Sequence, residues 1–263
     1  MLSRLSRPQA LAVCGLPVAA LIATAAFAPL PFVLAQPGMT ANVLGDNKGT
    51  PVITISGAPT RRTSGELRMV TIEATPPDAR ISLGDVVDGW FAKDRAVMPV
   101  DSVYPGGGDL KEIEQHNTRE MEESQSRATS AALGYLRLSE KDVKVDLTLE
   151  DVGGPSAGLL FSLGIIDKLD GDGSGGDLTG GRVIAGTGTI SPDGKVGAVG
   201  GVALKTQAAR RDGATVFLVP KAECDDAKAE LPKGLRLVPV TTLKGAVDAL
   251  VALAKGKGTV PSC

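Results

Sequence analysis

The sequence predicts a mixed α/β body carried behind an apolar N-terminal segment of membrane-spanning length. Three observations predict it. Strand-like and helix-like stretches interleave from residue 50 to residue 254, the pattern of a sheet with helices packed on it. Apolar residues make up 43% of the 263 positions, enough for a sizeable core. No charged residue occurs from Leu11 to Ala35.

The chain opens on "MLSRLSRPQA", with Arg4 and Arg7 ahead of the apolar run. A helix rising ~1.5 Å per residue over that run would cover a hydrocarbon layer of roughly 30 Å. Arginines on its N-terminal side orient such a segment with the body outside the cytoplasm. Pro17, Pro29 and Pro31 interrupt the run, which membrane helices tolerate better than soluble ones. The alternative is a signal peptide cut after "VLA", residues 33–35. Either reading exports the body. Residues 1–10 are then a cytoplasmic basic N-terminus, 11–35 an anchor or signal segment, and 36–49 a polar tether. The body is 50–254, and 255–263 is a C-terminal tail.

Within the body, "PVITIS" and "ELRMVTIEAT" are rich in β-formers and predict strands. "SLGDVVDGWF" predicts a short helix, and "PGGGD" at 105–109 a loop. Lys111 to Arg137 predicts one long helix, polar first and alanine-rich later. "VKVDLTLE" alternates apolar and polar residues, as a strand does, and leads into a helix beginning near Ser156. The composition of 170–181, "DGDGSGGDLTGG", predicts a loop. "SPDG" between "RVIAGTGTI" and "KVGAVGG" predicts a hairpin. Helix 202–212, strand 214–219, helix 221–230, strand 235–240 and helix 242–254 complete the order.

Composition excludes several functions. Net charge is −2 and aromatics are 3%, so neither a basic face nor a stacking platform argues for nucleic acid. The ligand clusters of a zinc site are missing. Asp170, Asp172 and Ser174 imitate the start of a calcium loop, but Gly181 stands where a bidentate glutamate is needed. No cofactor is called for. Cys14 lies in the apolar run, where bulky Val13 makes a poor lipoprotein site. Cys224 and Cys263 remain. In an oxidising compartment they could pair and clip the tail to the body; two free thiols is the alternative.

"EDVGGPSAGLLFSLGIIDKL" carries the chemistry. A strand runs into two glycines and a proline, and Ser156 falls in the first turn of the next helix. Pro155 suits a first helical position. Glycines permit close backbone approach. The helix start offers amides to an anion, so Gly154, Pro155 and Ala157 mark a candidate oxyanion site. A serine hydroxyl needs a base. The single histidine, His116, lies in the polar half of the long helix and reads as a solvated residue. Lysine is the other known base. In "GGVALKTQAARRDG", Lys205 sits among Val202, Ala208 and Ala209 on the apolar side of a helix. A free lysine is neutral in only about one case in two thousand at pH 7. Burial would disfavour its cation and make it able to accept a proton. The bland readings are a structural serine in a tight turn and a lysine snorkelling to water.

"GGPSAG" followed by "GGVALK" resembles the proteolytic domain of the Lon family of Ser-Lys peptidases. "EMEESQSRATSAALGYL" and "GTGTISPDGKVGAVGGVALKTQAARRDGATVFLVP" extend the resemblance, which covers roughly residues 50–254. It implies an α/β fold resembling the second domain of ribosomal protein S5. It also implies Ser156 as nucleophile, Lys205 as general base and Thr187 as a positioning group. By layout the chain is similar to the membrane-anchored Lon-like peptidases of Gram-positive bacteria. It departs from the family in three ways. "GGVALKT" lacks the glycine that precedes the lysine in a phosphate-binding loop, so no ATP-driven unfolding is implied. No span resembles an inserted PDZ domain. Gly153 stands where the family has an aspartate. The expectation is an ATP-independent serine endopeptidase acting on unfolded or extended polypeptides outside the membrane, with a ring of copies as the family's assembly. A non-catalytic membrane-anchored module that binds polypeptides is the second expectation.

Overall fold

The computed structural model describes residues 6–104, 109–149 and 154–263. Arg4, the glycine loop 105–108 and the segment 150–153, Gly153 included, lie outside the described residues. Along the chain, α1 (Arg7–Phe27) leads into β1 (Phe32–Asn42), the short pair β2 (Asp46–Asn47) and β3 (Thr50–Pro51), then β4 (Ile53–Ser56) and β5 (Glu66–Ala74). There follow α2 (Leu83–Phe91), β6 (Ala96–Pro99), α3 (Val100–Val103), the long α4 (Leu110–Leu136) and β7 (Lys144–Leu147). A 3-10 turn at Pro155–Ala157 opens α5 (Gly158–Leu169), after which come β8 (Val183–Gly186), β9 (Thr189–Ile190), β10 (Val196–Gly197) and α6 (Val202–Arg211). Then β11 (Val216–Pro220), a 3-10 turn at Lys221–Glu223, α7 (Cys224–Lys228), β12 (Arg236–Val240) and α8 (Leu243–Lys255) complete the fold.

The chain divides into two units, Met1–Ala35 with Ala74–Gly108, and Gln36–Glu73 with Asp109–Cys263. In the first, Phe32 to Ala35 pair antiparallel with Pro99 to Ala96. Thr75 exchanges two hydrogen bonds with the backbone of Leu34. α2 starts on a capping box between Ser82 and Asp85, and Leu83, Val87, Trp90 and Phe91 of this helix are exposed.

This unit corrects the expected N-terminus. The run 11–35 is not one segment. The helix ends at Ala28, beside Pro29 and Pro31, because proline biases the preceding residue away from helical backbone. Residues 32–35 are strand, with Val33 and Ala35 fully buried. Absence of charge cannot tell a spanning helix from a shorter helix followed by a buried strand. Among the described residues no helix is long and apolar enough to cross a membrane. Residues 36–49, expected as a tether, are instead the rest of β1 and the β2 hairpin arm. The segment reads as polar, yet Val43 and Leu44 pack into the core.

In the second unit the strands run in the order β12-β11-β8-β5-β1. β12, β11, β8 and β5 are mutually parallel. Parallel strands demand crossover connections, and α6 and α7 supply them between β8, β11 and β12. β4 and β7 form a separate antiparallel pair. The core lies against α5, whose residues from Gly158 to Asp167 are all buried. That explains why "GLLFSLGII" shows no polar face: a helix apolar all round is an interior helix. α4 packs on it through Ala128, Ala131 and Ala132, and Ser162 donates to the Ala128 carbonyl at 3.1 Å. The alanine-rich half of α4 is therefore its main contact half, and the charged half is mostly exposed apart from Met121.

At the far end of α5 sits an ionic cluster built around one buried carboxylate. Asp167 is fully buried; its Oδ1 accepts the Leu178 N–H at 2.8 Å and lies 3.5 Å from Arg61 Nη1. Arg61 also reaches Asp177 at 3.1 Å. Asp172, in the loop that imitates a calcium site, spends its carboxylate on the Ser174 and Gly176 amides and on Lys255. Those bonds hold its carboxyl below the ordinary range. Among the described residues no cluster of metal-ligating side chains occurs.

Candidate active site

Ser156 sits in the 3-10 turn that opens α5. Gly154 ahead of it has φ +88°, a conformation that residues with a Cβ rarely adopt. Gly158 behind it is fixed by crowding. A Cβ there would lie 2.9 Å from Ile190 Cγ2 and 3.1 Å from Ser124 Oγ. The small residues of "GPSAG" therefore let the turn press against α4 and β9. Ser124 of α4 donates to the Pro155 carbonyl at 3.0 Å, and the Gly188 N–H donates to the Ser156 carbonyl at 2.9 Å. These bonds fix the turn, while the serine itself stays half-buried.

Lys205 is on the second turn of α6 and is only 4% exposed. It does not snorkel. Val202, Leu204, Ala208 and Ala209 bury this side of the helix around it. Its Nζ donates to Thr187 Oγ1 at 3.3 Å, and Thr187 Oγ1 donates to the Ser156 carbonyl at 3.3 Å. Thr187 is fully buried, just past the end of β8. One hydroxyl thus links the lysine to the serine's own residue. Burial pulls the amine from 10.5 to about 8, against the Glu223 carboxylate, which pulls the other way. The neutral fraction at pH 7 rises to about one in ten.

The three backbone positions read from the sequence as oxyanion donors are not equivalent. The Gly154 N–H donates to the Asn117 carbonyl at 3.3 Å, and Pro155 has no N–H to give. Of the three, Ala157 is left. His116 is exposed, with its Nε2 3.4 Å from Glu120. Cys224 and Cys263 form a disulfide, with Cα atoms 5.5 Å apart, whereas Cys14 is free and exposed.

Sequence reasoning missed two groups here. Ser124 lay unmarked in the alanine-rich half of the long helix; its spacing from Ala128 and Ala131 was the available signal. Glu223, beside the disulfide, falls within the helix 221–230 that the sequence predicts. In the fold it ends a 3-10 turn and is 8% exposed, and nothing in the sequence marked it. A cleft of about 500 Å³ opens beside the serine turn, lined by Glu120, Glu123, Arg127, Pro155, Ile190 and Lys195 among others.

Fold and relatives together define a serine-type peptidase domain. The Lon protease (S16) C-terminal proteolytic domain model matches residues 103–253, and the chain belongs to that family. It is 28% identical over 163 residues to the Lon protease of Mesomycoplasma hyopneumoniae strain 232, covering 56% of this chain and 18% of that protein. It is 33% identical over 165 residues to Lon protease 1 of Sorangium cellulosum strain So ce56, covering 57% and 20%. The archaeal Lon protease of Halobacterium salinarum is 30% identical over 116 residues, covering 42% and 16%. The chain thus matches about a fifth of the length of these relatives.

Proposed function

We propose that this chain is a serine endopeptidase in which Ser156 is the nucleophile and Lys205 the general base, acting on extended or unfolded polypeptide without nucleotide. The observation that carries the proposal is the buried Lys205 amine, hydrogen-bonded through Thr187 to the residue that bears the hydroxyl. In the acylation step the neutral amine takes the Ser156 proton while Oγ attacks the scissile carbonyl carbon. The oxyanion meets the amide of Ala157 at the start of the helix. The intermediate collapses, the C–N bond breaks, and the Lys205 ammonium returns its proton to the leaving amine. Water, deprotonated by the same amine, then hydrolyses the ester and frees Ser156.

The cleft of about 500 Å³ beside the turn supports an extended substrate, since it gives room for a segment of chain next to Pro155. Nucleotide independence rests on the lack of a phosphate-binding loop in these 263 residues. The Cys224–Cys263 disulfide supports action outside the cytoplasm. So does α1, an apolar helix that opens on Arg7 and has Leu11, Leu16, Leu21 and Ile22 exposed, which fits an export segment.

Cleavage of unfolded casein by wild type, Ser156→Ala and Lys205→Ala, with and without ATP, tests the proposal. Wild type alone should cleave, equally in both conditions. Equal cleavage by all three proteins would refute the roles assigned. Protease accessibility of the body in intact cells tests the location.

A further inference from the structure

The lysine has a buried charged neighbour whose charge the fold does not require. Glu223 closes the 3-10 turn between β11 and α7 and is 8% exposed. Its Oε1 accepts the Val199 N–H at 3.0 Å. Its Oε2 is buried and has no hydrogen-bond partner among the described residues. A single backbone N–H needs a single acceptor oxygen, which a glutamine or an asparagine would supply without burying an anion. Burying an unsatisfied carboxylate oxygen is costly unless a cation shares the site. The cation that lowers its cost is Lys205 of α6, which acts on it through space. Glu223 and Lys205 act on each other electrostatically, and Asp226 of α7 is the other charge acting on Glu223. Thr187, packed against the amine from the end of β8, is uncharged.

We propose that Glu223 is a positioning residue for Lys205, holding the chain at Val199 just ahead of α6 and supplying the fixed negative charge that stabilises the ammonium formed when the amine takes the serine proton. The proposal rests on the Ser-Lys reading above and deepens it. When the proton moves from Ser156 Oγ to Lys205 Nζ, positive charge develops inside the protein, where a fixed countercharge is worth more than in water. Val199 lies three residues ahead of the helix that carries the base. The same side chain therefore fixes where the amine sits and how readily it holds a proton. The neighbouring Cys224–Cys263 disulfide ties down the segment from which Glu223 projects.

Glu223→Gln keeps an acceptor for Val199 and the side-chain size, and removes the charge. Two readouts on the full chain test it. The first is the pH dependence of Ser156 labelling by a fluorophosphonate, in wild type and Glu223→Gln. The second is the titration of Lys205 by NMR of protein labelled at lysine Cε, assigned with Lys205→Met. In Glu223→Gln both midpoints should fall, by up to about one pH unit for the loss of a buried countercharge. At pH 9.5, where the amine is neutral in both proteins, the variant should label about threefold to tenfold more slowly, its base being weaker. A purely structural glutamate would leave both midpoints where they are, and that result overturns the proposal. If wild type takes no label at all, the Ser-Lys reading fails. The NMR titration still decides whether Glu223 sets the charge on Lys205. Glu223→Ala, which also frees Val199, should in addition lower the melting temperature. A melting loss without a shift of Lys205 in either variant counts against the proposal.

Discussion

The amine of Lys205 donates to the hydroxyl of Thr187 at 3.3 Å, and that hydroxyl donates in turn to the carbonyl of Ser156. Thr187→Val keeps the shape and deletes the bridge. The Ser156 carbonyl still has the Gly188 N–H, so the fold should survive. The lysine loses its aim, and misplacement of about an ångström should slow labelling of Ser156 by about tenfold to a hundredfold. A labelling rate equal to wild type would remove Thr187 from the site.

Lys205 weakens the fold that holds it. Its folded value, about 8, lies below the ordinary 10.5 because burial disfavours the cation. Between pH 8 and 10.5 the unfolded chain holds a proton that the folded chain does not, so stability rises with pH across that window. Lys205→Met should be inactive yet more stable at pH 7, by about 1–2 kcal/mol after allowing for the countercharge that Glu223 loses. Its advantage should shrink from pH 8 to 10.5. Denaturant melts at pH 7 and pH 10 measure it, and an equal gap at both would contradict the burial argument.

Asp167 has the opposite sign. Burial lifts its carboxyl to about 6, against the Leu178 N–H and Arg61. Between about pH 4 and 6 the folded chain keeps a proton that the unfolded chain has lost, so this group makes stability fall as pH rises through that window. Asp167→Asn should flatten the profile there. It should gain about 1–2 kcal/mol at pH 7. Melting temperatures at pH 4, 5, 6 and 7 read this directly.

The Cys224–Cys263 disulfide closes a loop of sequence separation 39. By the chain-entropy account a loop of that length stabilises by about 3–4 kcal/mol. Cys263→Ser, or wild type under reductant, should lose stability of that order in denaturant melts. Reductant should not alter Cys263→Ser further.

The body of this fold was legible because its signals are local. "SPDG" between β-formers became the β9–β10 hairpin, and "LKEIEQHNTREMEESQSRATSAALGYL" became a single helix. The N-terminus was not legible. An uncharged run has the same composition whether a bilayer or a sheet covers it, and Val33 and Ala35 are covered by protein. Within the site, Lys205 was visible because a cation on an apolar helix face is anomalous. Glu223 was invisible, since an acidic residue in "PKAECDDAK" reads as solvated until the chain folds its carboxylate inward. The oxyanion reading was too broad for a similar reason: the Asn117 carbonyl that takes the Gly154 N–H lies far away in sequence.

The most direct test is the pH profile of fluorophosphonate labelling at Ser156, located by mass spectrometry, in wild type and Lys205→Met. The account predicts labelling that rises through a midpoint near 8 in wild type and is absent in the variant. Labelling of Ser156 at equal rates in the two proteins, or no labelling of wild type at any pH, would contradict it.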